Sequence, residues 1–243
     1  MDKFFIVAID GTAGSGKSTT AFGAAQKLGW FYLDTGAMYR AITYKVIKDK
    51  IDWQDVDQLE KMLATTQIDF NYNPKTQRYH IFLDGEDVTH KIRTPEIDRL
   101  VSHIAAIPTV RAKMVKEQQK VATGKNTICE GRDIASVVFP NADLKFYLDC
   151  SLEERARRRK KDNQDKVSIQ EIRNNLIERD YIDSNREVSP LVRTSDAIYL
   201  DTTNLTIEEE IQFVVDMIKL RLLDKKEQAN NNLRKNNKGA KNS

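Results

Sequence analysis

No stretch of this 243-residue chain is both long and uncharged enough to cross a membrane as a helix. The acidic Asp2, followed at once by an apolar strand-like run, also speaks against a secretory leader. Cysteine is almost absent. Only Cys129 and Cys150 occur, far apart and without metal-ligand spacing, so a disulfide framework and a cysteine–metal centre are both excluded. Two small core hydrophobes in a reduced, cytoplasmic protein are expected instead. The three histidines, His80, His90 and His103, are read as structural or surface residues rather than bases. No internal repeat is visible. The chain has no N-K-x-D guanine-reading motif and no D-x-x-G after a second strand, which argues against a GTPase-type switch.

The net charge of +3 is unevenly spread. From Asp224 onward six lysines and arginines face only Asp224 and Glu227, a net +4, so the remaining body is near −1. Residues 224–243 are therefore read as a basic tail, Asn- and Lys-rich from about Ala229 and too polar to fold, with no specific nucleic-acid partner expected. Length alone allows one large α/β domain with a small insertion.

What is present begins with Gly11-Thr12-Ala13-Gly14-Ser15-Gly16-Lys17-Ser18 after the apolar run at 4–9. It fits G-x-x-x-x-G-K-[ST] and stands where that motif must stand, between a strand and a helix. Glycines let the backbone curl so that successive N–H groups face one anion at the positive end of a helix. Lys17 would reach the outer phosphates of a bound triphosphate such as ATP, and the Ser18 hydroxyl would meet Mg2+. Thr19 follows in the first helical turn.

The rest of the chain alternates strand and helix. Residues 30–33 and 127–130 read as short buried strands, as do 144–149 and 197–201; helices are expected over 37–50, 56–64, 95–107 and 108–121. Thr94 and Pro95 mark a helix start, and Pro108 breaks that helix and begins another. Between residues 68 and 83 the texture changes to two strand-like segments joined by Asn73-Pro74-Lys75-Thr76, a hairpin signal inside an otherwise βα pattern. Capping boxes at Ser151–Glu154, Ser168–Glu171 and Thr206–Glu209 open three later helices. The second is expected to bury Ile169, Ile172, Leu176 and Ile177, and the third Ile211, Val215, Ile218 and Leu222. The pattern predicts a three-layer α/β sandwich with a central parallel sheet, its site at the strands' carboxyl ends.

The arginines ask for a second anion. Arg155, Arg158 and Arg159 fall at i, i+3 and i+4 on one helix face, with Arg157 directed elsewhere. That spacing suits an anion-binding face and equally a solvated face bridged to Glu153, Glu154 and Asp162. Arg179, Asp183 and Arg186, at i, i+4 and i+7, leave the same choice between a donor–acceptor–donor strip and a surface ladder. Arg132 and Arg40 each follow a strand end, where open α/β sheets bind ligands. Arginine grips phosphate by bidentate hydrogen bonds, and a phosphate monoester is largely dianionic at neutral pH. A phosphorylated acceptor would thus need no general base, and transfer would rest on positioning and charge neutralisation.

Taken in order, several segments resemble the bacterial cytidylate kinases, nucleoside monophosphate kinases of the P-loop class. They are Gly11–Ser18, Leu33–Arg40, Leu83–Val88, Ile92–Thr94, Ser102–Arg111, Glu130–Ile134, Val138–Pro140, Glu153–Arg159, Glu178–Asp180 and Asp183–Arg186. The similarity spans Phe4 to about Leu222; several of the motifs are weak alone, and together, in this order, they are strongly specific. It implies γ-phosphoryl transfer from ATP, with Mg2+, to CMP or dCMP. It also implies one kinase domain over residues 1–223, whose core is 1–66 and 122–223. The monophosphate-binding insertion would cover about 67–121 and a helical lid about 152–166; a cytoplasmic monomer is expected. By the same resemblance Ser102, Arg111 and Asp133 would read cytosine, and Tyr39 would stack on it. Thr35 stands where the family often has Ser. Arg40, Arg132 and Arg186 would hold the acceptor phosphate, Arg179 and Asp183 would meet the sugar, and Arg155, Arg158 and Arg159 would belong to the lid. Lys17 and Arg132 join those lid arginines as the expected catalytic set. Glu130 departs from the family, where Asp is expected before Gly-Arg-Asp.

Overall fold

Why the chain doubles back on one sheet follows from its buried β-branched runs. The computed structural model describes residues 4–162 and 167–239. Strands β1 (Ile6–Gly11), β2 (Phe31–Asp34), β6 (Thr127–Gly131), β7 (Leu144–Asp149) and β8 (Ile198–Asp201) form a parallel sheet in the order β2-β6-β1-β7-β8. Both faces are covered, which is why the inner strands β1 and β6 are mostly apolar, with Asp10 and Glu130 only at their carboxyl ends. Helices α1 (Lys17–Leu28) and α8 (Ile207–Gly239) pack on one face over Val7, Ile9, Phe146 and Leu148. On the other face α2 (Thr35–Lys48), α4 (Pro95–Ala106) and α5 (Pro108–Ala122) enclose a core around Leu33, Met38, Ile42, Ile104 and Met114. Helix α3 (Val56–Thr65) extends that core.

A separate antiparallel sheet, β3 (Ile68–Asn73), β4 (Arg78–Leu83) and β5 (Glu86–Asp87), sits against this second core. Its β3–β4 hairpin is the one signalled by Asn73–Thr76, whose Asn73 side chain accepts from the Lys75 N–H at 3.0 Å. Helices α6 (Leu152–Asp162) and α7 (Ile169–Asn185) form an arm over the sheet's carboxyl edge. Ile172 and Leu176 pack there with Ala156 and the P-loop's own Ala13.

Two expectations are corrected, and one element is added. Ile169 and Ile177 are exposed, because only a narrow face of α7 meets α6 and α4 while its far end turns Arg179 and Asp183 inward. The segment 224–239 continues α8 where an unfolded tail was expected, since no proline or glycine interrupts that helix before its last residue. Residues 134–138, unassigned in the sequence, form one π-helical turn after β6. The segment read as a lid reaches past the described residues at 163–166, and residues 240–243 of the tail also lie outside them.

The P-loop owes its shape to crowding as well as to glycine freedom. A Cβ on Gly11 (φ +155°) would lie 2.0 Å from the Leu148 carbonyl oxygen of the neighbouring strand. We expect Gly11→Ala to cost about 3 kcal/mol and to lower the thermal midpoint by roughly 6–12 °C, measured by calorimetry.

Candidate active site

The carboxyl ends of β1 and β6 lie side by side, Asp10 opposite Gly131, and each continues into a ligand-facing turn. Between them opens a cavity of about 890 Å³, bounded by the P-loop, the turn after β6, helices α2, α4 and α7, and the α6 arm.

At one end the P-loop closes on α1 through left-handed glycines, Gly14 (φ +80°) and Gly16 (φ +91°). Gly14, Gly16, Lys17, Ser18 and Thr19 face the cavity. Gly11, Thr12, Ala13 and Ser15 form the frame behind them. Thr12 donates its hydroxyl to Asp149 at 3.0 Å, and the Ala13 N–H donates to Asp180 at 2.9 Å. Asp180 also takes Arg155, whose guanidinium donates to the carbonyls of Ala13 and Cys150, each at 3.0 Å. Arg155 is buried and does not face the cavity, so it braces the P-loop from behind rather than sharing an open face with Arg158 and Arg159.

Those two neighbours diverge. Arg158 reaches the P-loop end, donating to the Thr202 carbonyl at 2.7 Å and to Glu154 at 2.9 Å, with Glu210 at 3.4 Å. Arg159 swings the other way to Asp98 at 2.5 Å. Arg157, read as pointing elsewhere, lies exposed against Glu154 but also lines the cavity.

Lys17 is buried and donates to the Thr12 carbonyl at 3.0 Å. Its pKa is pushed down, first by burial and next by Arg132. Glu130, at the end of β6, accepts the Ser18 hydroxyl at 2.7 Å. Burial, and then Asp34 nearby, push its carboxyl upward. The paired Ser18 and Glu130 oxygens make a hard-donor set beside the P-loop.

Beyond Glu130 the cations gather. Arg40 and Arg159 both meet Asp98, with Arg179 at 3.5 Å from the same carboxylate. Arg132 donates to Asp183 at 2.8 Å. Burial, with Arg40 and Arg132 close by, lowers the Arg179 pKa to about 10. Arg179 thus belongs with the cluster of like charge. Arg186 lies farther in, between Asp133 at 3.4 Å and Asp183 at 3.8 Å, and caps the end of α7 rather than standing on its face.

The far end is narrower. Arg111, 2 % exposed, is ion-paired with Asp133, donates to the Ala105 carbonyl at 3.0 Å and lies 5.3 Å over the Tyr39 ring. Ser102 and Tyr39 line the same end. The structure therefore joins Arg111 to Asp133 and puts Ser102 on the wall of the same cavity, 31 positions before Asp133 in the chain. Thr35 is buried and spends its hydroxyl on the Glu130 carbonyl at 2.7 Å. Asp34, Arg93, Glu154, Lys161, Thr206 and Glu210 also line the cavity and were given no site role in the sequence, nor were the struts Asp98 and Asp180 behind it, although Asp34, Glu154 and Asp180 lie in the quoted motifs. Arg93, bound to Asp34 at 3.0 Å, was legible only as part of Ile92–Thr94.

Fold and cavity together define a P-loop α/β protein of the kinase class. The model of the family described as cytidylate kinase matches residues 7–220. Cytidylate kinases of Bacillus cereus and Bacillus thuringiensis are each 42 % identical over 221 residues, covering 90 % of this chain and 97 % of theirs. The chain belongs to the cytidylate kinase family. Among solved structures, TT1252 from Thermus thermophilus covers 91 % of this chain and 99 % of its own at 18 % identity and a TM-score of 0.46, too distant to bear on function.

Asp10 ties the two strand-end turns together. It is fully buried, and its two carboxylate oxygens accept the N–H groups of Ile134 and Ala135, each at 2.8 Å. Burial outweighs those bonds and raises its pKa to about 7. Near pH 4 the unfolded chain starts to ionise this group while the folded protein keeps its proton. Stability from Asp10 therefore falls as pH rises from about 4 to 7 and levels off above. Thermal midpoints of the wild type and Asp10→Asn across pH 5–8 should show the wild type losing more stability over that window.

Proposed function

We propose that this protein transfers the γ-phosphoryl group of ATP to CMP or dCMP, giving ADP and the nucleoside diphosphate. The carrying observation is one cavity with a P-loop at one end, a buried Arg111–Asp133 pair at the other, and Arg40, Arg132, Arg159 and Arg179 between them. ATP would lie on Gly14–Thr19, held by backbone N–H groups, Lys17 and Arg158. The acceptor phosphate would meet the arginine cluster, and cytosine would lie toward Ser102, Arg111 and Asp133. A carboxylate accepts from the exocyclic amine of cytosine, and a guanidinium donates to its ring acceptors. Arg179 fits the phosphate seat better than the sugar, and Asp183 with Arg186 fits the ground between phosphate and base.

The Ser18 and Glu130 oxygens suit Mg2+, which keeps few protein ligands and takes the rest from phosphates and water. When bound, the ion would supply Lewis-acid neutralisation of the phosphate oxygens. Lys17, crowded by Arg132 and Arg179 and buried, gains most from an arriving anion. Charge spread over the transferring group would be met by Lys17, Arg132 and Arg159, so rate depends on their placement and not on proton removal. One chain supplies both seats, and the reading needs no partner subunit. Among the described residues no helix is long and apolar enough to cross a membrane.

Turnover of CMP, dCMP, UMP and AMP with MgATP tests the assignment; the cytidine nucleotides should lead, and preference for UMP or AMP would overturn it. In the same assay Lys17→Ala and Arg132→Ala should each lower kcat by about 100-fold or more. Asp133→Asn should instead narrow the gap between CMP and UMP, with the thermal midpoint followed because Arg111 loses its partner. Equal loss on every base would make Asp133 a framework residue.

A further inference from the structure

Asp98 has no part in the P-loop or in the base-reading end, and nothing in its sequence context marks it. It stands in the first turn of α4, after the Thr94 cap and Pro95, where an acidic residue ordinarily serves the helix dipole. Glu96 already does so from an exposed position. Asp98 instead turns inward, its side chain 18 % exposed, and meets three guanidinium groups from three separate elements. One oxygen takes Arg40 of α2 and faces Arg179 of α7 at 3.5 Å; the other takes Arg159 of α6 at 2.5 Å. The three arginines line the cavity, and Asp98 is not among the residues that do.

We propose that Asp98 is the positioning residue of the acceptor-phosphate seat, one carboxylate that gathers Arg40, Arg159 and Arg179 and thereby ties the α6 arm to the acceptor half before either nucleotide arrives. The proposal rests on the kinase reading above.

Charge accounting supports it. One carboxylate cannot neutralise three guanidinium groups, so the cluster keeps a surplus that a dianionic monophosphate would meet. The Nε of Arg179 is buried and donates to no group, leaving a donor free beside that seat. Without Asp98 the three cations would repel one another. Among the described residues Arg40 would keep only the Ile92 carbonyl at 3.3 Å, and Arg159 would lose the carboxylate that holds it to the acceptor side. Burial by itself would raise the Asp98 pKa, yet the surrounding arginines, Arg40 foremost, hold it below the usual carboxylate range. It is therefore charged at neutral pH.

The test compares the full-length wild type with Asp98→Asn, which keeps the shape and removes the charge, and with Asp98→Glu, which restores it. Asp98→Asn should raise KM for CMP about tenfold or more while KM for ATP moves less than about threefold; Asp98→Glu should return most of the loss. Without any nucleotide, hydrogen exchange across residues 152–162 should be faster in Asp98→Asn than in the wild type. A KM for CMP within twofold of wild type would overturn the proposal. So would a parallel rise of both KM values with a lowered thermal midpoint, which marks general loosening. Failure of the kinase reading is seen separately, as a wild type that does not use CMP, and the exchange measurement stands without any substrate.

Discussion

Like charges forced into one low-dielectric cavity are the constraint on which this structure turns. Lys17, Arg40, Arg132, Arg159 and Arg179 share a space where mutual repulsion is weakly screened. The guanidinium groups are therefore held by carboxylates from other parts of the chain: Arg40, Arg159 and Arg179 share Asp98 of α4, and Arg132 takes Asp183 of α7. The carboxylates are too few to cancel the cations. An anion is what completes the balance, and this explains why helices as distant in sequence as α2 and α7 converge on one spot. Pairing also limits entropy: an arginine already fixed by a buried partner loses little freedom when a phosphate arrives.

Such a cluster is useful only if the backbone around it does not yield. Two aspartates that do not line the cavity, Asp10 buried and Asp180 half-buried, supply that rigidity. Asp10 fastens the end of β1 to the π-helical turn after β6, so the P-loop strand and the Arg132–Asp133 turn move as one. Asp180 fastens Ala13 to Arg155 and hence the P-loop to the root of the arm. Both accept backbone N–H groups, bonds that for Asp10 offset part of the cost of burial.

The sheet was legible because its signals are local. A β-branched run, a glycine-rich turn and a capping box each sit within ten residues, and the strand and helix order follows from them. The P-loop and the Asn73–Thr76 hairpin were legible for the same reason. Burial on α7 was not, because whether Ile169 and Ile177 face a neighbour depends on how the arm lies across the sheet. Spacing placed Arg155, Arg158 and Arg159 on one face, but a helix face is wide. Arg155 points beneath the P-loop, while Arg158 turns to the P-loop end of the cavity and Arg159 to the arginine cluster around Asp98. Asp98 was invisible for a different reason: an acid in a first helical turn already has an adequate local explanation, so nothing in the sequence asks for another.

The divergence of Arg158 and Arg159 also bears on how the two halves communicate. Consecutive residues of one rigid helix cannot be displaced independently, yet one is bonded at the P-loop end through Thr202 and Glu210 and the other at the acceptor side through Asp98. On the proposed reading, a shift of α6 toward a nucleotide on the P-loop would alter the pull on Asp98, and with it on Arg40 and Arg179. Coupling of this kind needs no long pathway, only one helix with two anchored ends. A kinase that must not hand its phosphoryl group to water gains from such an arrangement, since both seats bear on the same arm.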